Sequence, residues 1–247
     1  MDKKILENKN CVITGSTGGL GIEFAKELAN RKCNLFLTGK NIEKLNQIRT
    51  QLNSSASSLK IEIKSGDLNK LEDINKIIKK VRMVFKSIDV LINCAGIFIS
   101  KSVHESTLEE FESIFNLNIR APFLFCKEFS QDMLTKNWGR IINIGSSSSY
   151  SGFKNGSIYC SSKHAILGLS RSLHSELKEH NVRTFCVSPG SIKTKMGRLS
   201  KNQDFDTFLE PQEIAEFLID AICYDKELIA EEIRLNRMKL SDSFTQS

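Results

Sequence analysis

Short apolar runs rich in strand-forming residues alternate with amphipathic stretches along almost the whole chain. The runs are Cys11–Thr14, Cys33–Thr38, Leu59–Lys64, Asp89–Asn93, Arg140–Ile144, Arg183–Val187 and Leu228–Arg234. Between them, helical periodicity covers Gly21–Arg31, Ile42–Leu52, Leu71–Phe85, Leu108–Lys136, Ser157–His180 and Gln212–Tyr224. Parallel strands need long crossovers, and a helix after each strand supplies one, so this alternation predicts a parallel sheet covered on both faces. Right-handed crossovers then give an α/β, doubly wound, Rossmann-like fold of about seven strands, with residues 1–247 forming a single domain. Pro122, Pro189 and Pro211 fall where a helix begins or a strand ends. The polar segment Asn53–Ser58 reads as a loop inside the domain, because the alternation continues unchanged beyond it.

Composition narrows the function classes. The longest apolar stretches, such as Cys94–Ile99 and Ala121–Cys126, fall far short of the ~20 residues of a bilayer span, and no signal-peptide pattern opens the chain. A cytoplasmic location with no membrane partner is expected. The 7 cysteines are scattered without a C-x-x-C pair and read as reduced, small apolar residues; Cys160, beside Tyr159, is either a helix filler or a reactive thiol. With His104, His164, His174 and His180 equally dispersed, no metal is expected. The net charge of +6 is spread along the chain and no nucleic-acid-binding signature accompanies it, so no nucleic-acid partner is expected. A mildly basic surface favours an anionic substrate or carrier.

Two features carry chemistry. The segment Thr14-Gly15-Ser16-Thr17-Gly18-Gly19-Leu20-Gly21 joins an apolar strand to a helix, a setting in which glycines let backbone N–H groups approach a pyrophosphate at a positive helix end. Far downstream, Tyr159 and Lys163 stand four apart, on one helix face, thirteen residues after Ser146. A fixed ammonium beside a phenol favours the phenolate, which would make Tyr159 a usable acid and base; read alone, the pair is equally a helix-surface contact.

Together these residues resemble the short-chain dehydrogenase/reductase family. The likeness runs from about Asn10 to Thr194 and includes Thr14–Gly21, Gly66-Asp67-Leu68, Asn93-Cys94-Ala95-Gly96, Asn118, the stretch Gly139–Ser146, Tyr159-Cys-Ser-Ser-Lys163 and the stretch Ser188–Thr194. Cys94 departs from the usual Asn-Asn-Ala-Gly. The resemblance implies an NAD(P)-dependent oxidoreductase that moves hydride between nicotinamide and a small-molecule carbonyl or secondary alcohol, with Tyr159 as general acid/base. By the same resemblance, Asp67 and Leu68 contact adenine, Asn93, Ala95 and Gly96 pack beside the adenosine, and Ile192 and Thr194, after the Pro189-Gly190 turn, hold the carboxamide. Ser146 polarises the carbonyl, Lys163 holds the ribose and lowers the tyrosine pKa, and Asn118 organises a proton-supplying water chain. Asp67 is also readable as a helix N-cap, and Asn116 stands two residues before Asn118 as a rival.

The strand ending Leu37-Thr38-Gly39-Lys40 has no carboxylate to accept from a ribose 2′-hydroxyl, which favours NADP(H) over NAD(H), with Lys40 as the 2′-phosphate cation or else a plain exposed lysine. Residues 191–210, basic through Lys193, Lys195, Arg198 and Lys201 and then apolar, read as a substrate lid. Up to Thr194 the chain is similar to 3-oxoacyl-acyl-carrier-protein reductases, but its C-terminal end Glu227–Arg237 lacks their glycine turns, which leaves acyl, ketone and sugar or cell-surface precursor substrates all open. A non-catalytic NADP(H)-binding regulator is the reading from another class. A homodimer or homotetramer is expected through the long apolar faces at Leu108–Lys136 and Ser157–His180.

Overall fold

The strands are β1 (Asn10–Thr14), β2 (Asn34–Gly39), β3 (Ile61–Ser65), β4 (Val90–Asn93), β5 (Gly139–Ile144), β6 (Val182–Pro189) and β7 (Glu232–Leu235). In the computed structural model, which describes residues 3–55, 59–200 and 203–238, they form one parallel sheet in the order β3-β2-β1-β4-β5-β6-β7. The helices are α1 (Gly19–Asn30), α2 (Ile42–Ser55), α3 (Leu71–Val84), α4 (Leu108–Phe115), α5 (Ala121–Lys136), α6 (Ser157–Leu177) and α7 (Pro211–Ile222). Side chains alternate across each strand, so the sheet builds two cores. Cys11 and Ile13 pack with Phe24 of α1, Leu45 of α2 and Leu218 of α7, whereas Val12 packs on the other face with Ile77 of α3 and Phe125 of α5. The chain reverses direction across the sheet between β1 and β4, and a crevice opens there beyond the strands' C-terminal ends.

Three expectations change. Asn53–Ser55 belong to the last turn of α2 rather than to a loop, and Ala56–Ser58 lie outside the described residues. Leu45, Ile48 and Leu52 recur at helical spacing and are buried, and that apolar face holds the helix together past the polar residues at its end. The stretch Leu108–Lys136 is not one α-helix: a π-helical segment, Asn116–Arg120, separates α4 from α5. β7 begins at Glu232, not Leu228, because Leu228 is exposed and Ile233 is the residue that reaches the core.

Within the sheet sits a residue that plain hydropathy places outside. Arg140 of β5 is fully buried, and its guanidinium donates to the carbonyls of Ile222 (3.0 Å) and Gly139 (2.8 Å) and to Asp225 (2.5 Å). Burial by itself would raise the Asp225 carboxyl, but hydrogen bonds from Arg140 and Asn181 hold it below the usual carboxylate range. Removing one partner leaves a buried charge uncompensated, so Asp225→Asn is expected to cost about 3 kcal/mol, read as a lower urea midpoint at unchanged m-value. A folded pKa below the unfolded value of ~3.9 stabilises fully above that value and is lost as pH falls through the folded pKa. The acid limb of the wild-type stability curve should therefore flatten in Asp225→Asn.

Candidate active site

β1 runs into α1 through a turn that only bare backbone can make. Gly15 sits at φ +68°, and a Cβ there would stand 2.7 Å from the Ala95 backbone; one on Gly21 would stand 2.3 Å from the Gly15 carbonyl oxygen. Thr14 and Ser16 do not face the crevice. The Thr14 hydroxyl accepts from the N–H groups of Cys94 and Ala95 (3.2 Å each), and the Ser16 hydroxyl donates to the Ile13 carbonyl (2.7 Å) and accepts from the Thr38 N–H (3.2 Å). Both fix the turn while Gly15, Thr17, Gly19, Leu20 and Gly21 line the cleft. The N-cap of α1, Gly18, offers no side-chain bond and the first helical turn carries no acid, so the N–H groups at this positive helix end suit a phosphate.

Lys40, at the end of β2, is 61% exposed and pairs with Asp67 at 3.0 Å. Beside it Lys44, in the first turn of α2, donates to the Thr17 carbonyl at 2.5 Å and also lines the cleft. Sequence reading passed over Lys44; the available signal was its place four residues after Lys40 at the start of a helix, which brings both cations to one mouth. Asp67 is not an N-cap. That position of α3 is Lys70, with no side-chain bond, while the Asp67 carboxylate accepts from the Asn69 N–H (3.0 Å) and side-chain amide (3.3 Å). Leu68 lines the cleft and Asp67 stands behind it.

Ser146 follows β5. Its hydroxyl oxygen accepts from the Ser148 N–H (3.1 Å), which leaves its own proton free to donate. α6 brings Tyr159 and Lys163, one turn apart, into the same cleft. Burial pushes the Tyr159 hydroxyl up to about 12, and a hydrogen bond with Ser146 opposes that shift. Burial also lowers the Lys163 ammonium to about 8, where it donates to the Ile144 carbonyl at 2.8 Å, 5.7 Å from the Tyr159 ring centre. Desolvation of the phenol sets this shift, and the Lys163 ammonium is turned toward a backbone carbonyl.

Asn118 projects from the π-helical segment, and π-turns inside helices recur at functional sites. Its side-chain oxygen accepts from the Ile97 N–H (3.0 Å), and its amide donates to the Ile97 carbonyl (3.2 Å) and the Ser162 hydroxyl (3.1 Å). It thus ties the loop after β4 to the helix turn carrying Lys163, a position that Asn116, the C-cap of α4, does not share. Asn93 is turned away from the cleft. Its amide donates to the Asn143 side chain at 2.8 Å across neighbouring strands, so the cleft wall after β4 is made by Cys94, Ala95 and Gly96.

Pro189, Gly190, Ile192 and Thr194 line the cleft, and Thr194 comes so close to the start of α1 that a Cβ on Gly19 would stand 2.8 Å from its methyl group. The segment 191–210 is pinned at both ends, because the Lys193 N–H donates to the Leu209 carbonyl (2.9 Å) and the Leu209 N–H to the Ser191 carbonyl (3.0 Å). Lys201, part of the expected lid, lies outside the described residues. An aromatic wall that the sequence did not announce completes the space: Phe98 meets the Tyr159 ring edge-on at 4.8 Å and lies 6.1 Å from Phe153. The whole cleft measures about 1570 Å³, more than the ~300–1,000 Å³ of a pocket for one drug-sized ligand, and so has room for a dinucleotide and a second molecule.

Comparison with known proteins points the same way. The family described as short chain dehydrogenase matches residues 9–204. An uncharacterized oxidoreductase of Staphylococcus saprophyticus is 29% identical over 230 residues, covering 92% of this chain and 97% of that protein. Another, from Staphylococcus aureus, is 29% identical over 229 residues, covering 93% and 97%. Among solved structures, the alcohol dehydrogenase of the archaeon Thermococcus sibiricus complexed with 5-hydroxy-NADP is 27% identical with a TM-score of 0.84, covering 93% of this chain and 96% of that one. A short-chain dehydrogenase of Sphingobium yanoikuyae in complex with NADPH, at 24% identity and TM-score 0.81 over 92% and 87% of the two chains, shares the fold.

Proposed function

Because the chain belongs to the short-chain dehydrogenase family of oxidoreductases, we propose that it is an NADP(H)-dependent reductase of a small carbonyl compound, with Tyr159 as its proton donor. The observation that carries this reading is the meeting of Ser146, Tyr159 and Lys163 in the same cleft as the uncapped glycine turn. The residues present fit a dinucleotide. A phosphate suits the N–H groups at the start of α1, and Ile192, Thr194 and Lys163, which line the same cleft, would hold the carboxamide and the ribose. NADPH, when bound, supplies the hydride.

The chain's own groups handle the oxygen. Ser146, whose oxygen already accepts from the Ser148 N–H, would turn its proton from Tyr159 to the substrate carbonyl and steady the charge that grows there. Tyr159 delivers the proton as the carbonyl becomes an alcohol, and Asn118 holds the helix turn behind Lys163 in register. The rise of the phenol to about 12 suits a group that must be protonated before it donates. A charged Lys163 released from the Ile144 carbonyl toward the phenol would then stabilise the phenolate left behind.

Preference for the phosphorylated cofactor follows from Lys40 and Lys44 at the mouth, where among the described residues no carboxylate lines the cleft to receive a 2′-hydroxyl. Lys40→Asp is expected to move the NADPH-to-NADH ratio of kcat/KM toward NADH by about tenfold or more, since it replaces attraction to a phosphate with repulsion. Lys44→Ala should lower the ratio by less. Unchanged ratios in both variants, measured by nucleotide absorbance with one ketone, would remove the phosphate assignment.

A further inference from the structure

Resting on the reductase reading above, we infer that the substrate is a carbonyl compound with an apolar body and an oxyanion, carboxylate or phosphate, held by Lys154, Lys195 and Arg198. The charge of the cleft carries the argument. Among the described residues lining it there are lysines and an arginine but no aspartate or glutamate. Some of those cations are already employed: Lys40 pairs with Asp67, Lys193 with Glu210 at 2.6 Å, and Lys163 donates to the Ile144 carbonyl. Lys154, Lys195 and Arg198 have no ion-pair partner among the described residues, and all three line the cleft. Like charges gathered without acids repel one another, and a bound anion relieves that repulsion.

The apolar half of the inference comes from what these cations sit beside. Lys154 follows Phe153, whose ring faces Phe98, which in turn meets Tyr159. Arg198 lies over the Phe205 ring at 4.0 Å, so its planar fork is held ready for an oxyanion. A carbonyl at Ser146 and Tyr159 would therefore have aromatic surface next to it, in a cleft that these cations also line. The reaction itself is unaltered: hydride from NADPH joins the carbonyl carbon, the Tyr159 proton joins the oxygen, and NADP⁺ and a secondary alcohol leave, with the oxyanion unchanged.

The test compares a phenyl-bearing oxo acid, its methyl ester and a phenyl ketone phosphate, all with NADPH. The acid or the phosphate should exceed the ester in kcat/KM by about tenfold at low ionic strength, and the gap should narrow as added salt screens the exposed cations. Whichever of the two is preferred names the oxyanion. In the Lys154→Gln/Arg198→Gln double variant the advantage over the ester should collapse toward one; both side chains are exposed, and their loss leaves the core intact. Calorimetric Kd values for the corresponding alcohols on the NADP⁺-loaded enzyme should rank in the same order without turnover. Ester turnover equal to or better than both anions overturns this inference and leaves the reductase reading standing. Failure of every ketone, charged or neutral, to oxidise NADPH overturns the reductase reading itself.

Discussion

Tyr159→Phe is expected to fold, to bind NADPH as the wild type does, and to lose on the order of 10²-fold or more in kcat. That is the size of effect associated with removing a positioned proton donor. The ring is buried and packs edge-on against Phe98, so exchanging hydroxyl for hydrogen leaves the apolar contacts in place. The hydroxyl bonds with Ser146, and Ser146 keeps its backbone anchor from Ser148 without it. The measurement is single-turnover NADPH oxidation with cofactor affinity determined separately. Equal loss in kcat and kcat/KM with unchanged cofactor Kd marks an interaction made in the transition state. Turnover within a few-fold of wild type would end the proposed role.

Lys163→Met should separate activity from stability in opposite directions. Lys163 is a buried ammonium that donates to the Ile144 carbonyl and, among the described residues, has no carboxylate beside it, and burial brings its pKa down from 10.5 to about 8. The unfolded chain therefore holds that proton more tightly than the folded one. At pH 7 the folded state bears a cost on the order of 3 kcal/mol, which is relieved as pH rises from about 8 toward the unfolded value near ~10.4. A methionine of similar shape bears no such cost. The variant is expected to be more stable than wild type by about 1–3 kcal/mol at pH 7, with Tm raised by a few degrees, and to lose the alkaline rise in stability. Its turnover should fall by about 10²-fold or more, the exchange of stability for function expected at a catalytic site. Thermal unfolding of the free protein at pH 7 and pH 9 checks the first half. A destabilised variant would show that the Ile144 bond outweighs the burial of charge.

Much of the molecule was legible in one dimension. Apolar runs at strand length, alternating with helical periodicity, specify a parallel sheet because few other arrangements bury both faces of each strand. The glycine turn was readable for the same kind of reason: residues such as Gly15 and Gly21 occupy places where any Cβ would collide with backbone. What the sequence could not disclose depends on which way a side chain turns. Asn93 and Ser16 stand next to residues that line the cleft but spend their hydrogen bonds inside the sheet and the turn. Asp67 looked like a cap and instead binds Asn69 and Lys40. The π-helical segment that presents Asn118 leaves no pattern in hydropathy, since it only shifts the phase of a helix that the apolar periodicity already announces.

The order and spacing of residues determined the topology, the cleft at the reversal between β1 and β4, and the identity of the phenol, hydroxyl and amine that share it. Burial is local in sequence only for a helix or strand face, so a periodic pattern can encode it. Protonation and charge are not local. The high pKa of Tyr159, the low one of Lys163, the company of Lys44 beside Lys40 and the absence of acids among the described residues along the cleft all arise from segments distant in the chain that the fold brings together. Only tertiary structure decides those, because desolvation and Coulomb energy depend on the separation of groups in space and not on their separation along the backbone.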